Sequence, residues 1–569
     1  MTARLDDTVC FIKKEFLIER EKPEAPADNS LPVESTDSLE PPQKKQKKEK
    51  RRGKNTNRPV FKEDISLKLC RSCYNGPDSG VCNFSGNCKM SHDVAKFMEV
   101  KPKDISDTCY IYSTKGFCRF GVSCRFAMAH LDENFKNLGI PPAETANQTD
   151  DFPKKTKDLF NVLRKRKFDL KKSDEVLKEV AKIMEENRKE PKTVPENDSK
   201  VSDVCVKATP REVKRLDFRD KTYLAPLTTV GNLPFRRICK EYQVDITCGE
   251  MACAVPLING QRSEWALTRK HESEDFFGIQ ICGHSNKVLT YACQTLAEEA
   301  DFDFIDLNLG CPIDLIYRQG AGSGLLNRTK VLESVVRSCS TILSQYEKTF
   351  TVKTRTGVYE NKSIAHELMP KFVEWGAKQI TLHGRSREQR YTKLANYEYI
   401  EQCAQTVKEV PVFGNGDIMS FEDYNAARKL APSISGLMIG RGALIKPWLF
   451  QEIKEQRHMD PSSSERFEML KRYVNYGLEQ WGSDVQGVET CRRFFLEWQS
   501  FLHRYVPFGI LERPPQKINQ RPCQFVGRDD LETLMASNNS KDWIKLSEML
   551  LGPVPEGFQF LPKHKANSY

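Results

Sequence analysis

Phe304-Ile305-Asp306-Leu307-Asn308-Leu309, followed at once by Gly310-Cys311-Pro312, is the stretch on which the reading of the fold turns. A short, mostly apolar run cut off by Gly and Pro is the pattern of a buried strand ending in a fixed turn. The same texture recurs along the chain. Runs at residues 223–228, 246–251, 277–282, 304–309, 350–354, 379–383, 410–414 and 436–439 alternate with amphipathic segments such as 288–299, 331–345 and 364–375. Eight β–α units in about 225 residues is the arithmetic of an α/β protein built as a (β/α)8 TIM barrel. A doubly wound sheet would use fewer strands and usually an early G-x-G-x-x-G, which is absent.

Outward from this block the composition changes. The chain has 569 residues, 39% of them hydrophobic, and a formal charge of +10 from 88 Lys+Arg against 78 Asp+Glu. At about 150 residues per domain this implies several units. Residues 1–62 are rich in Pro, Glu, Ser and Lys and are expected to be a disordered basic tail. Residues 63–135 are dense in Cys and aromatics and form a zinc-finger region. Residues 136–215 read as a charged helical linker, with Leu159, Val162, Leu163, Val176, Leu177, Val180, Ile183 and Met184 at helical spacing and a polar stretch at 190–203. Residues 216–446 are the barrel, and 447–569 a helical C-terminal domain and tail.

The basic run Lys44 to Lys62, densest at Lys44-Lys45-Gln46-Lys47-Lys48-Glu49-Lys50-Arg51-Arg52, suits nuclear import or tethering of RNA. Location in the nucleus, the cytoplasm or both is expected. The N-terminus lacks an apolar signal core, and no stretch approaches about 18 apolar residues, so neither secretion nor membrane association is expected. In such a compartment the 19 cysteines are read as metal ligands, nucleophiles or core residues and not as disulfides.

Two cysteine sets have metal-ligand spacing. Cys73, Cys82, Cys88 and His92 fall as C-x8-C-x5-C-x3-H, and three thiolates with one imidazole close a tetrahedral zinc site. Cys109, Cys118, Cys124 and His130 repeat the first two gaps, but the last gap is x5 and Met128 stands where the histidine is expected. His130 reaches the metal only if that loop bulges. Cys70 is left over and is read as a packing residue. Units this small rely on the metal to fold. Tyr74, Phe84, Tyr110, Phe117 and Phe120 are candidates for stacking on RNA bases.

In TIM barrels the chemistry lies on the loops at the C-terminal ends of the strands, and the unusual residues fall there. Gly414-Asn415-Gly416-Asp417 and Gly440-Arg441-Gly442 follow strands seven and eight. Their exposed backbone N–H groups can cradle a phosphate, with Arg441 adding charge. Gln280 offers donor and acceptor to the pyrimidine edge of an isoalloxazine, and Lys353 can stabilise negative charge on a reduced ring. Cys311, held between Gly310 and Pro312, is expected to point its thiol into the mouth. A thiol of pKa about 8.5 stays mostly protonated near neutrality and suits a general acid. Cys239, Cys248, Cys253, Cys282, Cys293, Cys339 and Cys403 read as inert core.

Ala225-Pro226-Leu227-Thr228, Asn308-Leu309-Gly310-Cys311-Pro312, Lys353-Thr354-Arg355-Thr356-Gly357, His383-Gly384-Arg385, Gly414-Asn415-Gly416-Asp417 and Gly440-Arg441-Gly442-Ala443 closely resemble the motifs of the tRNA-dihydrouridine synthases. The likeness spans residues 215–455. The paired Cys3His fingers and the tail segments 550–555 and 561–567 resemble the eukaryotic branch that modifies uridine 47 of the variable loop. The resemblance implies FMN on Pro226, Leu227, Thr228, Gln280, Lys353, His383, Asn415, Gly416, Asp417, Gly440 and Arg441. It implies NADPH as reductant, with NADH an alternative. It implies hydride delivery from flavin N5 to uracil C6, proton delivery from Cys311 to C5, and Asn308 and Arg355 orienting base and flavin. The substrate would be tRNA, with other RNA open, and the protein a monomer. In the basic linker, Lys154, Lys155, Lys157, Arg164, Lys165, Arg166, Lys167, Lys171 and Lys172 read either as a grip on RNA phosphates or as a solvated helix face. Two other readings are an RNA-binding protein with a silent barrel and a small-molecule dihydropyrimidine or dihydroorotate oxidoreductase. Intact Cys311 and phosphate loops argue against the first, and the fingers against the second.

Overall fold

A computed structural model describes residues 9–18, 58–77, 79–84, 86–139, 158–189, 216–389, 391 and 393–563. Its centre is one parallel sheet of β1 (Thr222–Leu224), β2 (Thr247–Cys248), β3 (Ala252–Cys253), β4 (Phe277–Cys282), β5 (Phe304–Asn308), β6 (Thr349–Arg355), β7 (Ile380–His383), β8 (Val412–Asn415) and β9 (Gly436–Ile439). The order is β1-β9-β8-β7-β6-β5-β4-β2, with β3 also on β4. A bridge between Tyr223 and Ile246 closes the ring, and the Leu224 N–H donates to the Ile246 carbonyl at 2.9 Å. This is the expected TIM barrel, with one correction. The second stave, read as continuous over 246–251, is broken into β2 and β3. The backbone leaves the ladder where Gly249 packs on the Leu267 carbonyl, which a Cβ would approach to 2.6 Å. There the Glu250 carboxylate turns to accept the Thr229 N–H.

Period-two alternation sorts the strand residues. One phase (Ile279, Ile281, Ile305, Leu307, Phe350, Val352, Ile380, Leu382) joins the large core shared with the helices. The other phase faces the barrel axis. Its lower layer is Tyr223, Ile246, Cys248, Phe304, Phe413 and Met438, with Phe218 packed against it. The Tyr223 ring meets Phe304 and Phe413 edge-on, with centroids 6.1 and 5.7 Å away. Gly278 lies in this layer because a Cβ there would fall 2.1 Å from the Phe304 ring. Further along the strands the same phase turns polar: Gln280, Asp306, Asn308, Thr351, Lys353, Arg355, Thr381, His383 and Asn415. Register sets Asn308 beside Lys353, Arg355 beside His383, and His383 beside Asn415. The apolar floor excludes water from below and the polar tier opens at the strand ends.

Helices Ser463–Trp481, Val485–Leu502, Asp530–Ala536 and Ser540–Leu551 form the C-terminal domain. The Trp498 indole N–H donates to the Leu444 carbonyl at 2.9 Å, which ties this domain to the short helix Arg441–Ile445 after β9. Helix Lys171–Lys189 lies on the flank of the barrel, burying Val176 and Val180. The Ser173 hydroxyl donates to Gln294 at 2.6 Å. This part of the expected linker is therefore docked, with Lys165, Arg166 and Lys167 exposed beside it. Lys154, Lys155, Lys157, the stretch 190–203 and the basic run 44–52 lie outside the described residues. No helix among the described residues is long and apolar enough to cross a membrane.

The expectation of a disordered segment over 1–62 is corrected for residues 9–18. Cys10 donates its N–H to the Arg521 carbonyl, Lys13 to Ile510, and Val526 donates back to Phe16. Cys10 and Ile12 are buried with Val506, Ile510, Leu511 and Phe525. The sequence composition hid this because two apolar side chains suffice when the partner groove already exists. Ile12→Ala should cost about 2–4 kcal/mol, measured as a lower urea midpoint for the C-terminal domain; an unchanged midpoint would show that the segment is not docked.

Candidate active site and metal centres

Cys311 follows β5 on a turn whose backbone is clamped from both sides. The Asn308 side-chain oxygen accepts the N–H groups of Gly310 (3.0 Å) and Cys311 (2.8 Å). The Ser323 hydroxyl donates to the Cys311 carbonyl at 2.8 Å. Gly322, at φ +56°, lets the neighbouring loop close over the residue; a Cβ there would come 3.0 Å from the Cys311 Cβ. The thiol is buried, and burial pushes its pKa up against the opposing Ile313 N–H and the Arg355 and Arg387 guanidiniums. Cys311 therefore keeps its proton at neutral pH.

Around it the polar tier forms one network. Gln280 donates to Asp306 at 2.7 Å and accepts from Asn308 at 2.8 Å. Thr351 donates to Asp306 at 2.9 Å. Burial drives the Asp306 carboxyl up to about 6, against Gln280, Thr351 and Lys353. Burial also drives Lys353 down to about 8, reinforced by Arg355 and opposed by Asp306 and Cys248. Lys353 donates to the Asn415 side-chain oxygen at 3.2 Å, and the Asn415 side-chain amide donates to the Met438 backbone carbonyl at 2.7 Å. Arg355 spans two loops, donating to the Gly310 carbonyl (2.7 Å) and the Ser386 carbonyl (3.1 Å).

The mouth is rich in cations. The Asp417 carboxylate gathers Arg385 (2.6 Å), the Ala395 N–H (2.8 Å) and Arg441 (2.9 Å). Its side chain thus organises two arginines. His383 is held neutral by burial and by Arg355, Lys353, Arg385 and Arg441. Its buried Nδ1 has no hydrogen-bond partner among the described residues. Gly416 takes φ +141° in the loop after β8, where a Cβ would meet Ala395 at 2.5 Å. Pro226, Leu227 and Thr228 lie half-buried after β1, and the Gly440 backbone N-caps helix Arg441–Ile445 after β9.

Three participants were not among the residues singled out from the sequence. Arg385 was visible inside His383-Gly384-Arg385 without an assigned role. Asp306 carried a signal, an acid on an otherwise apolar strand. Tyr391, whose ring lies 3.9 Å from the Arg441 guanidinium, carried none.

The first finger requires a correction. Cys70, Cys82, Cys88 and His92 bring their ligand atoms within 4.8 Å of one another. Cys73 does not join them. It packs with Leu69, Val94, Phe97 and Val122, its thiol 3.6 Å from the His92 carbonyl. The short turn Arg71–Cys73 carries its side chain into that core, so equal spacing of the two fingers misled. Cys70 lies 3.7 Å from Cys82 and 3.9 Å from Cys88, sulfur to sulfur. A tetrahedron with Zn–S of about 2.3 Å has edges of about 3.8 Å, so the separations fit zinc.

In the second finger Cys109, Cys118, Cys124 and His130 converge as expected. The longer last gap is absorbed by the turn Ala127–Ala129, which leaves Met128 76% exposed and buries His130. His130 Nδ1 lies 2.9 Å from the Asn137 side-chain oxygen, and buried Nε2 has no hydrogen-bond partner among the described residues, the arrangement of a ligating imidazole oriented by an outer partner. This finger is fixed to the C-terminal domain. Arg125 donates its N–H to the Ser483 carbonyl at 2.7 Å, and Lys115 pairs with Glu479 at 2.6 Å, which also pairs with Arg237 of the barrel at 2.7 Å. Of the candidate stacking aromatics, Phe84 is 71% exposed, while Tyr74, Tyr110, Phe117 and Phe120 are half-buried.

The dihydrouridine synthase family model matches residues 223–503, and the model of the DUS3L CCCH zinc finger domain matches 101–133. A tRNA-dihydrouridine(47) synthase [NAD(P)(+)]-like protein of Xenopus tropicalis is 52% identical over 547 residues, covering 92% of this chain and 84% of that protein. A Homo sapiens protein of the same name is 46% identical over 576 residues, covering 94% and 87%. One from Arabidopsis thaliana is 38% identical over 650 residues, covering 98% and 92%. This chain belongs to the dihydrouridine synthase family. As a synthase it is an oxidoreductase on a TIM barrel with a CCCH zinc finger. The synthase's own residues fit a flavin phosphate and ring: an unpartnered neutral imidazole, cations outnumbering carboxylates, and a glycine turn a Cβ would block. Metal analysis should find two zinc ions per chain, one lost in Cys70→Ser and none in Cys73→Ser; the reverse pattern would restore the equal-spacing assignment.

Proposed function

We propose that this synthase reduces a uridine of tRNA to 5,6-dihydrouridine, at position 47 of the variable loop, with FMN in the barrel mouth and NADPH as the electron source. The names of the relatives support the substrate and position. The observation that carries the chemistry is Cys311: a protonated, buried thiol on a clamped turn at the edge of a cationic pocket. Bound there, FMN would supply the hydride that a C5–C6 double bond accepts.

The chain's own residues do the rest. Asn415, Gly416, Asp417, Gly440 and Arg441, with Arg385, would hold the phosphate end. Gln280, Lys353, His383 and the loop Pro226–Thr228 would hold the ring. Lys353 would meet negative charge on the ring with its ammonium. Cys311 would give its proton to C5 as C6 receives hydride, and the thiolate would then recover a proton from solvent. Asn308 fixes the Cys311 backbone, and Arg355 fixes the loops after β5 and β7, so both act by positioning. A base stacked in folded RNA cannot reach this depth and must be turned out. Grip on the surrounding RNA would come from Phe84 and the exposed Lys165, Arg166 and Lys167.

Cys311→Ala should lower dihydrouridine formation on unmodified tRNA by about 100-fold or more while leaving flavin content unchanged; near-normal yield would remove the proposed proton donor. Lys353 supplies a pH test. With its pKa lowered to about 8, it is charged below that pH and neutral above it. FMN affinity should therefore fall as pH rises through about 8, and Lys353→Met should flatten that dependence. A pH-independent affinity in the native protein would exclude the ammonium from the site.

A further inference from the structure

Thr229, directly after the loop Pro226–Thr228, has φ +79°, a conformation that β-branched residues avoid. Such strain costs about 1–3 kcal/mol and persists only where the surroundings over-determine it. Each polar group of Thr229 is tied. Its N–H donates to the Glu250 carboxylate. Its carbonyl accepts from the Asn232 side chain at 3.0 Å. Its hydroxyl accepts from the Lys563 ammonium. The first two partners belong to the barrel; the third comes from the C-terminal tail, 334 residues away.

Lys563 is itself anchored. Its backbone N–H lies 3.2 and 2.9 Å from the two carboxylate oxygens of Glu497, a buried residue of helix Val485–Leu502. Arg58, in the stretch leading into the fingers, pairs with the same carboxylate. The ammonium also faces buried Glu250, whose pKa is raised by burial and drawn back by the Thr229 N–H, Arg236 and Lys563. Removing the cation would leave Thr229 with one tie fewer and a buried carboxylate with less compensation, which is costly.

We infer that Lys563 is a positioning residue of the active site, by which the docked C-terminal tail holds Thr229 in its strained conformation and so shapes the loop after β1 that receives FMN. The inference rests on the flavin reading given above. Through Glu497 and Arg58, the seat for the ring is coupled to the docking of the tail and of the segment preceding the fingers.

Hydrogen exchange on the full-length, flavin-free protein tests the positioning without reference to any cofactor. In Lys563→Met the amides of residues 228–231 should exchange about tenfold faster, with other barrel amides unchanged, and Lys563→Arg should restore protection. Titration with FMN, followed by flavin fluorescence, should show about tenfold weaker binding in Lys563→Met and affinity within about threefold of native in Lys563→Arg. Unchanged exchange at residues 228–231 would overturn the inference. So would faster exchange throughout the barrel, which would mark a purely structural role. Failure of the native protein to take up FMN would instead sink the flavin reading and leave the exchange result to decide the positioning.

Discussion

The alternation of side chains along nine short strands, which make eight staves, is the constraint from which the site follows. One phase is apolar and locks the barrel to its helices. The other stacks an aromatic floor of Tyr223, Phe304 and Phe413 beneath a tier of Gln280, Asp306, Asn308, Lys353, Arg355, His383 and Asn415. A slip of one residue in any strand would exchange the two. The floor does more than fill space. By excluding water it makes the charges above it expensive, and that expense sets Lys353 near 8 and Asp306 near 6 and keeps His383 neutral. The chemical character of the mouth is thus a consequence of packing below it.

Charge is distributed with the same economy. Asp417 gathers Arg385 and Arg441, while Arg355 is spent on the carbonyls of Gly310 and Ser386. The pocket is cationic overall, and most of its cations are held by neutral carbonyls or by a shared carboxylate. That is the arrangement expected where a phosphate and a ring able to carry negative charge are to be received. Cys311 sits at the edge of this field with its proton kept on by burial. The second finger is joined to the C-terminal helices through Ser483 and Glu479, and the segment before the fingers is joined to them through Glu497.

Much of this was legible in the sequence because local patterns carried it. Strands β4 to β9 announced themselves as short apolar runs closed by Gly, Pro or polar residues, and the motif residues fell on their ends as barrel geometry requires. What failed depended on tertiary contacts. The second stave breaks because Glu250 must reach Thr229. Cys70 displaces Cys73 because the turn at Arg71–Cys73 packs one thiol into a core contributed partly by the other finger. Residues 9–18 are ordered by a groove lined by Val506, Ile510 and Phe525, far along the chain. Tyr391 and Lys563 reach the mouth from a loop and a tail that no periodicity marks.

The central claim is that a reduced cofactor in this mouth passes its electrons to RNA. Anaerobic absorbance spectroscopy of the purified protein tests it most directly. The account predicts a flavin spectrum that bleaches with NADPH and returns when unmodified tRNA is added, in proportion to the dihydrouridine formed. A colourless protein that takes up no FMN, or a bleached one whose spectrum tRNA leaves unchanged, would contradict it.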